Sequence, residues 1–240
     1  QIPPSIFTDF TRESRNIIVV SKSTKDSAFI NSNKFASPQK ILYINGKTNK
    51  SLVDQINKTA RKAINTFKAN EIKEKQKRIK NSILKTKEFD SLGIRLTMSS
   101  GYKLFKKETV NKLWFQRETQ KGSVNILAYI LPYSAENPSL ERIISIRDSV
   151  GKAFVPGRNK DSYLITEEAY LPYFFKTKIS SFTAFETRGT WEVVNDYMAG
   201  PFLNYFIKDK KNNRTIVLEG FVFSPSVRKR EYLVEIEAII

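Results

Sequence analysis

Gly189-Thr190-Trp191-Glu192-Val193-Val194 opens the stretch that decides the fold, and Asn195-Asp196-Tyr197-Met198-Ala199-Gly200-Pro201 carries it on toward Ile240. Alternation with period two gives a strand over 182–194, with Phe185, Trp191 and Val193 on one side and Glu186, Arg188 and Glu192 on the other. That parity assigns Trp191 to the core. Residues 201–208 and 215–223 read as two more strands, joined by a tight turn over 209–214 in which Asn212 and Asn213 tolerate left-handed backbone. Ser224 is expected to cap a terminal helix with Pro225 at its first position and Leu233, Ile236 and Ile240 on its buried face.

Working outward from this block, Ile94, Leu96 and Met98 alternate with polar residues and predict a strand, and strands follow over 102–107, 113–118 and 123–131. A helix is expected from Pro138, capped by Asn137, to about Val150, with Gly151, Pro156 and Gly157 ending it. Residues 163–170 are ambiguous between strand and loop, and 172–178 read as a strand. Nearer the start, 1–15 read as an extended arm with packed aromatics. Ile17, Ile18, Val19 and Val20 suggest a strand buried on both faces, 21–39 a polar connection, and 40–45 a second buried strand.

From Asn49 the period becomes helical: Leu52, Ile56, Ala60, Ala63 and Phe67 fall on one stripe, with Thr48 or Asn49 as cap. The pattern thins out toward Lys87, so either a break near Ala69–Asn70 or a projecting end is expected. The fold class is therefore α/β (α+β): a β-β-α subdomain with a long basic helix over 1–92, incomplete at its start, then a mostly antiparallel sheet flanked by helices over 93–240.

The chain has no cysteine and no histidine, which excludes disulfides, thiol nucleophiles, Cys or His metal sites and Ser-His-Asp catalysis. No cofactor is expected. Formal net charge is +17, and 58–87 hold eleven basic residues against Glu71 and Glu74, about half of the excess. Lys73, Lys77, Arg78 and Lys80 crowd into two helical turns as a candidate contact surface for anions. A solvated helix face is the bland alternative. Nucleic acid ranks below an anionic surface, because aromatics are not interleaved with the cations.

Gly46-Lys47-Thr48 sits between a strand and a helix, where a phosphate loop would end. The earlier glycine of that pattern is replaced by Ile41, so a plain strand–turn–helix junction is preferred. Glu167 with Glu168, and Glu186 with Glu192, are available as carboxylate pairs for a glycan-cleaving enzyme, with surface acids neutralising nearby cations as the bland alternative. Asp196 and Tyr197, beside Trp191, could form the lip of a binding site or a mere strand connection.

Thr187-Arg188-Gly189-Thr190-Trp191-Glu192-Val193, Asn195-Asp196-Tyr197-Met198-Ala199-Gly200-Pro201-Phe202-Leu203-Asn204-Tyr205 and Glu219-Gly220-Phe221-Val222-Phe223-Ser224-Pro225-Ser226 resemble the domain-of-unknown-function family 4837 of Bacteroidota. Ile2-Pro3-Pro4, Arg15-Asn16-Ile17, Arg147-Asp148-Ser149-Val150-Gly151 and Glu167-Glu168-Ala169-Tyr170 fit it in the same order, so the resemblance spans essentially the whole chain. It implies an envelope lipoprotein, anchored in the outer membrane by an acylated cysteine upstream of Gln1, with no assigned activity and no catalytic residues. By element order alone, the second half is also similar to the extrinsic P subunit of photosystem II. The expectation is a non-catalytic accessory protein that binds an envelope protein or an anionic envelope surface. The competing expectations are a carboxylate-dependent enzyme on cell-wall glycan and polyanion binding through the basic helix.

Overall fold

The computed structural model describes residues 2–108 and 111–240. The chain divides into two compact units, Gln1–Lys77 and Arg78–Ile240. It is a mixed α+β protein, with four α-helices and eleven strands among the described residues.

In the first unit the start of the chain is not an extended arm. It forms a 3-10 turn at Pro4–Ile6 and a short helix α1 at Asp9–Arg12. Strands β1 (Asn16–Lys22), β2 (Ser27–Ser32) and β3 (Lys40–Gly46) make a sheet in the order β1-β3-β2, with β1 parallel and β2 antiparallel to β3. β2 lies inside the segment read as a polar connection. Its only apolar residues are Ala28, Phe29 and Ile30, too few to stand out by alternation. Nor is β1 buried on both faces: it is an end strand, and Ile18 and Val20 are 57% and 51% exposed. Leu42 and Ile44 of the central strand pack with Ala63, Phe67 and Leu52 of α2 (Asn49–Lys80).

α2 starts where Thr48 and Ser51 satisfy one another: Ser51 N donates to Thr48 Oγ1 at 3.1 Å, and Thr48 N donates to Ser51 Oγ at 3.0 Å. The helix then runs unbroken through Ala69 and Asn70 and stops at Lys80, short of the expected Lys87. At 1.5 Å per residue it is about 48 Å long. Its composition of Lys, Arg, Ala, Gln and Glu, without glycine or proline, favours a continuous helix even where few apolar residues guide it.

The second unit is built on one antiparallel sheet. Its strands are β4 (Lys103–Glu108), β5 (Lys112–Thr119), β6 (Gly122–Pro132), β7 (Leu164–Thr166), β8 (Tyr173–Ile179), β9 (Phe182–Val193), β10 (Ala199–Asp209) and β11 (Arg214–Phe223). The order is β4-β5-β6-β11-β10-β9-β7, with β8 also paired to β9. The pairing shifts register between Leu104 and Lys106 of β4. Residues 94–98 form no strand. A 3-10 turn at Glu88–Leu92 ends in left-handed Gly93, and Ser99 makes only an isolated bridge to Ile83, although Met98 is buried.

Helix α3 (Leu140–Phe154) packs on one face of the sheet, its Ile143, Val150 and Phe154 joining Trp114, Trp191, Phe202 and Phe221 in a single core. Trp191 is 1% exposed and Phe185 and Val193 are buried with it, as strand parity requires. The α3 cap is Ser139, whose Oγ accepts from Arg142 N at 3.2 Å, and not Asn137. Gly151 lies within the helix and does not end it. A Cβ there would stand 2.1 Å from the Leu164 carbonyl oxygen, so the missing side chain lets β7 approach α3. Helix α4 (Arg230–Ile239) begins six residues after the expected Ser224 cap. Ser226, at φ 62°, interrupts helical backbone first. Ile236 is fully buried and sits against Gly220, where a Cβ would come within 2.2 Å of it.

Charged side chains are part of this interior. Arg147 of α3 donates from Nε to Glu219 Oε1 on β11 at 3.1 Å and from Nη1 to Thr166 Oγ1 at 2.8 Å, while Asn204 Nδ2 donates to Glu219 Oε2 at 2.8 Å. The guanidinium lies 3.8 Å from the Phe202 ring centre. Arg117 holds Glu235 of α4 through two bonds of 3.0 Å, and Tyr102 Oη donates to the same carboxylate at 2.9 Å. Arg188 pairs with Glu186 and with Glu237.

Candidate functional site

A groove of about 960 Å³ opens along α2 in the first unit. Positions 58, 61, 62, 65, 66, 69, 70, 73, 74 and 77 of the helix line it, and their 3-4-3-4 spacing is a single helical face. The facing wall is supplied by Asn33, Ser37, Pro38 and Lys40, from the loop between β2 and β3 and the start of β3.

That wall is held in place by Gln39, which is fully buried. Its Nε2 donates to the carbonyls of Arg12 and Ser14 at 2.5 and 2.9 Å, and its Oε1 accepts from Phe35 N at 3.0 Å. Asn33 and Gln39 close the loop reciprocally: Gln39 N donates to Asn33 Oδ1 at 2.8 Å, and Asn33 N donates to Gln39 O at 3.0 Å. Below the groove, Arg15 and Asn16 both bond to the buried carboxylate of Glu71, Arg15 Nη2 at 2.7 Å and Asn16 Nδ2 at 2.6 Å. These bonds tie the end strand to the helix.

Lys40, Lys58, Arg61, Lys62, Lys73 and Lys77 face the groove against one acid, Glu74. Glu74 is taken by Lys77 at 2.5 Å. Among the described residues Arg61, Lys62 and Lys73 have no ion-pair partner. Asn70, on the same face, is nine-tenths buried, and its Nδ2 has no hydrogen-bond partner among the described residues. A concave face with excess positive charge and a spare amide donor favours an anion.

Of the candidate residues, Lys73 and Lys77 line this groove. Arg78 and Lys80 follow on the last turn of α2 as exposed side chains outside its lining. Asp196 and Tyr197 lie in the second unit, on the connection between β9 and β10. Asp196 accepts from Arg158 Nη2 at 2.7 Å and from Tyr197 N at 2.7 Å. The Arg158 hydrogen bond, with some help from the Tyr197 amide, holds its carboxyl below the usual range. The Tyr197 side chain is fully exposed and Met198 packs on the core. Lys40 and the 33–38 wall gave no sign in the sequence, because only tertiary packing brings them to the helix. Asn70 did carry one: it is an amide spaced among cations.

Elsewhere one acid of each candidate pair, Glu167 and Glu186, and the Asp26 carboxylate are occupied within the protein. Lys47 N donates to Asp26 Oδ1 at 2.8 Å, so the backbone after Gly46 serves the protein's own carboxylate. Glu167 accepts from Ala169 N, and Glu186 from Arg188. A second groove, of about 640 Å³, runs between Leu131, Phe185, Phe206 and Ile146 and is lined by one acid, Glu136. Each groove thus offers a single carboxylate, where cleavage of a glycosidic bond uses two. No group of three or more Asp or Glu suited to a metal occurs among the described residues, and no described helix is long and apolar enough to cross a membrane.

Two family models cover the chain. Residues 80–240 match the domain of unknown function DUF4837, and residues 1–80 match the domain of unknown function DUF8532. The chain belongs to the DUF4837 family through the larger match, which contains the three long strings between Thr187 and Ser226. Ile2-Pro3-Pro4 and Arg15-Asn16-Ile17 fall within the DUF8532 match, which ends where α2 ends. No curated protein matches the chain.

Proposed function

We propose that this DUF4837 member is a non-catalytic accessory protein of the cell envelope, which binds an anionic envelope component through the groove on α2. The observation that carries the reading is the alignment of five cations on one helix face, with a sixth, Lys40, on an opposite wall fixed by buried Gln39. In the second unit three interior arginines are committed within the protein, Arg147 to Glu219, Arg117 to Glu235 and Arg188 to Glu186 and Glu237. Placement in the envelope, through a lipid anchor upstream of Gln1, follows the family resemblance and is part of the proposal.

The test is a triple substitution, Lys62→Gln, Lys73→Gln and Lys77→Gln, in the full-length chain expressed in its own cells. Envelope association and its sensitivity to salt should both fall, because exposed charges act through a field that salt screens over about 10 Å. Unchanged association and salt response would remove the groove from the function. Adding Arg78→Gln and Lys80→Gln measures how far the contact extends past the groove, with a smaller further loss expected.

A further inference from the structure

The groove lining is more specific than a basic patch. Alongside its cations it presents the amides of Asn33, Asn65 and Asn70 and the hydroxyls of Ser37 and Thr66, and no aromatic residue. Nucleobases and other flat ligands are gripped by stacking, and nothing here offers a ring for it. Acyl chains need an apolar wall, and Ala69 and Pro38 are all the groove has. Carboxamides and hydroxyls spaced among lysines suit a carrier that is itself hydroxylated and bears a doubly charged oxyanion.

Two details give those groups a direction. Thr66 Oγ1 spends its proton on Lys62 O at 2.8 Å, so toward a ligand it can only accept, as a sugar hydroxyl would require. Asn70 Nδ2 has no acceptor in the protein, and a nearly buried amide N–H left unpaired is destabilising until one arrives. Asn70 lies one turn from Thr66 and one turn from Lys73 and Glu74 on the same face and lines the groove with them. Volume agrees as well: about 960 Å³ holds far more than one phosphate and falls within the range of pockets for small organic ligands.

We propose that the groove is a binding site for a phosphorylated sugar, its phosphoryl group held by Lys62, Lys73 and Lys77 and its hydroxylated ring by Asn70, Thr66 and the Asn33–Pro38 wall. The proposal rests on the anion-binding reading of the same groove and narrows it to one ligand chemistry. The ligand could be a free sugar phosphate or the headgroup of a glycosylated or inositol-bearing phospholipid, which share a hydroxylated ring and a phosphoryl oxyanion, doubly charged in the free monoester and singly charged in the lipid diester.

The experiment is a titration of the ¹⁵N-labelled chain with glucose 6-phosphate, inorganic phosphate and glucose, following the side-chain amide of Asn70. Glucose 6-phosphate should move that resonance and bind about tenfold more tightly than inorganic phosphate, roughly the value of one added hydrogen bond to a charged or well-placed partner. Asn70→Ala should remove about that factor. Because the resonance is read in the unaltered protein, poor folding of the variant would not block the test. Equal affinity for the two phosphates, or an unmoved Asn70 amide, overturns the sugar assignment. In a parallel arm, vesicles containing phosphatidylinositol are compared with vesicles containing phosphatidylglycerol. Preference for the first supports the site and names lipid as the source, and binding of soluble sugar phosphate alone names a free ligand. Equal binding of both vesicles removes lipid as the source, and together with equal affinity for glucose 6-phosphate and inorganic phosphate it overturns the proposal. If the sugar assignment fails while the lysine triple variant still loses envelope association, the broader anion reading stands; if the triple variant keeps association, both fall.

Discussion

Arg147 and Lys62 are both cations on long helices, and the two units treat them in opposite ways. Arg147 is 2% exposed, and Glu219, Thr166 and the Phe202 ring surround it. Lys62 stands on an exposed face with no ion-pair partner among the described residues. The first unit, residues 1–77, has fifteen basic and six acidic residues, and the second has 26 and 18. With less than half the length, the first unit carries more than half of the net charge. In the interior of the second unit charge is a packing element, with Arg147, Arg117 and Arg188 each matched to a glutamate. In the first it is left open along a groove whose wall is tied down by the hydrogen bonds of Gln39. A charge that a fold keeps unneutralised at a fixed position is available to something outside the chain.

The strongest way to break this contrast is at the buried pair. Glu219→Ala should cost about 3–5 kcal/mol in urea denaturation, because it strands the Arg147 guanidinium in the core. Replacing both partners, Arg147→Met with Glu219→Leu, should recover most of that loss, and a double variant as weak as the single would show that the pair is more than a structural tie. Next in size is Gly151→Ala. Its Cβ has no room against the Leu164 carbonyl, so roughly 1–3 kcal/mol should be lost in a thermal melt as α3 and β7 separate.

Acid sharpens the contrast by a smaller amount. Burial opposes ionisation of Asp209, but hydrogen bonds from Asn212 and Arg214 outweigh it and keep the folded carboxyl below its ordinary value. Its contribution is therefore complete above the unfolded carboxylate range, near pH 4, and fades as pH falls through the lower folded value. Asp209→Asn should flatten stability against pH below about 4, measured by denaturation at a series of pH values, and should leave the slope above pH 6 unchanged. The smallest effect belongs to the groove: Lys62→Gln, Lys73→Gln and Lys77→Gln together should shift stability by no more than about 0.5 kcal/mol while anion binding collapses. A large loss of stability there would mean that the first unit also uses its charge for packing.

How much of this was legible in the sequence follows from where each signal resides. Trp191 was placed in the core from parity alone, because β9 lies inside a wide sheet with a helix on one face and strict alternation survives. The β9–β10–β11 strands were clear for the same reason. β1 misled, because a run of four β-branched residues looks identical at the edge of a sheet and in its centre, and only the order β1-β3-β2 tells them apart. Ser224-Pro225 has the composition of a helix start, yet the backbone at Ser226 turns left-handed and delays α4 to Arg230. Gly151 read as a stop because a sequence cannot show that a carbonyl from thirteen residues away needs its space. In the groove, the helical half was visible as a charge run. The wall was not, since it depends on Gln39 gathering Arg12, Ser14 and Phe35 around its side chain and Asn33 on its backbone.

β4 stands at one end of the large sheet, with no strand on its outer side among the described residues. Open edges of this kind recruit further copies and grow into fibrils. Here the strand carries Lys103, Lys106 and Lys107 and slips register between Leu104 and Lys106. Lys106 is drawn onto Phe154 and Lys107 onto Glu88, which leaves exposed Lys103 and the slipped register to oppose a second molecule docking there. Exposed Lys103 and the register slip on this end strand, beside exposed Phe105, are features that disfavour edge-to-edge pairing with a second copy.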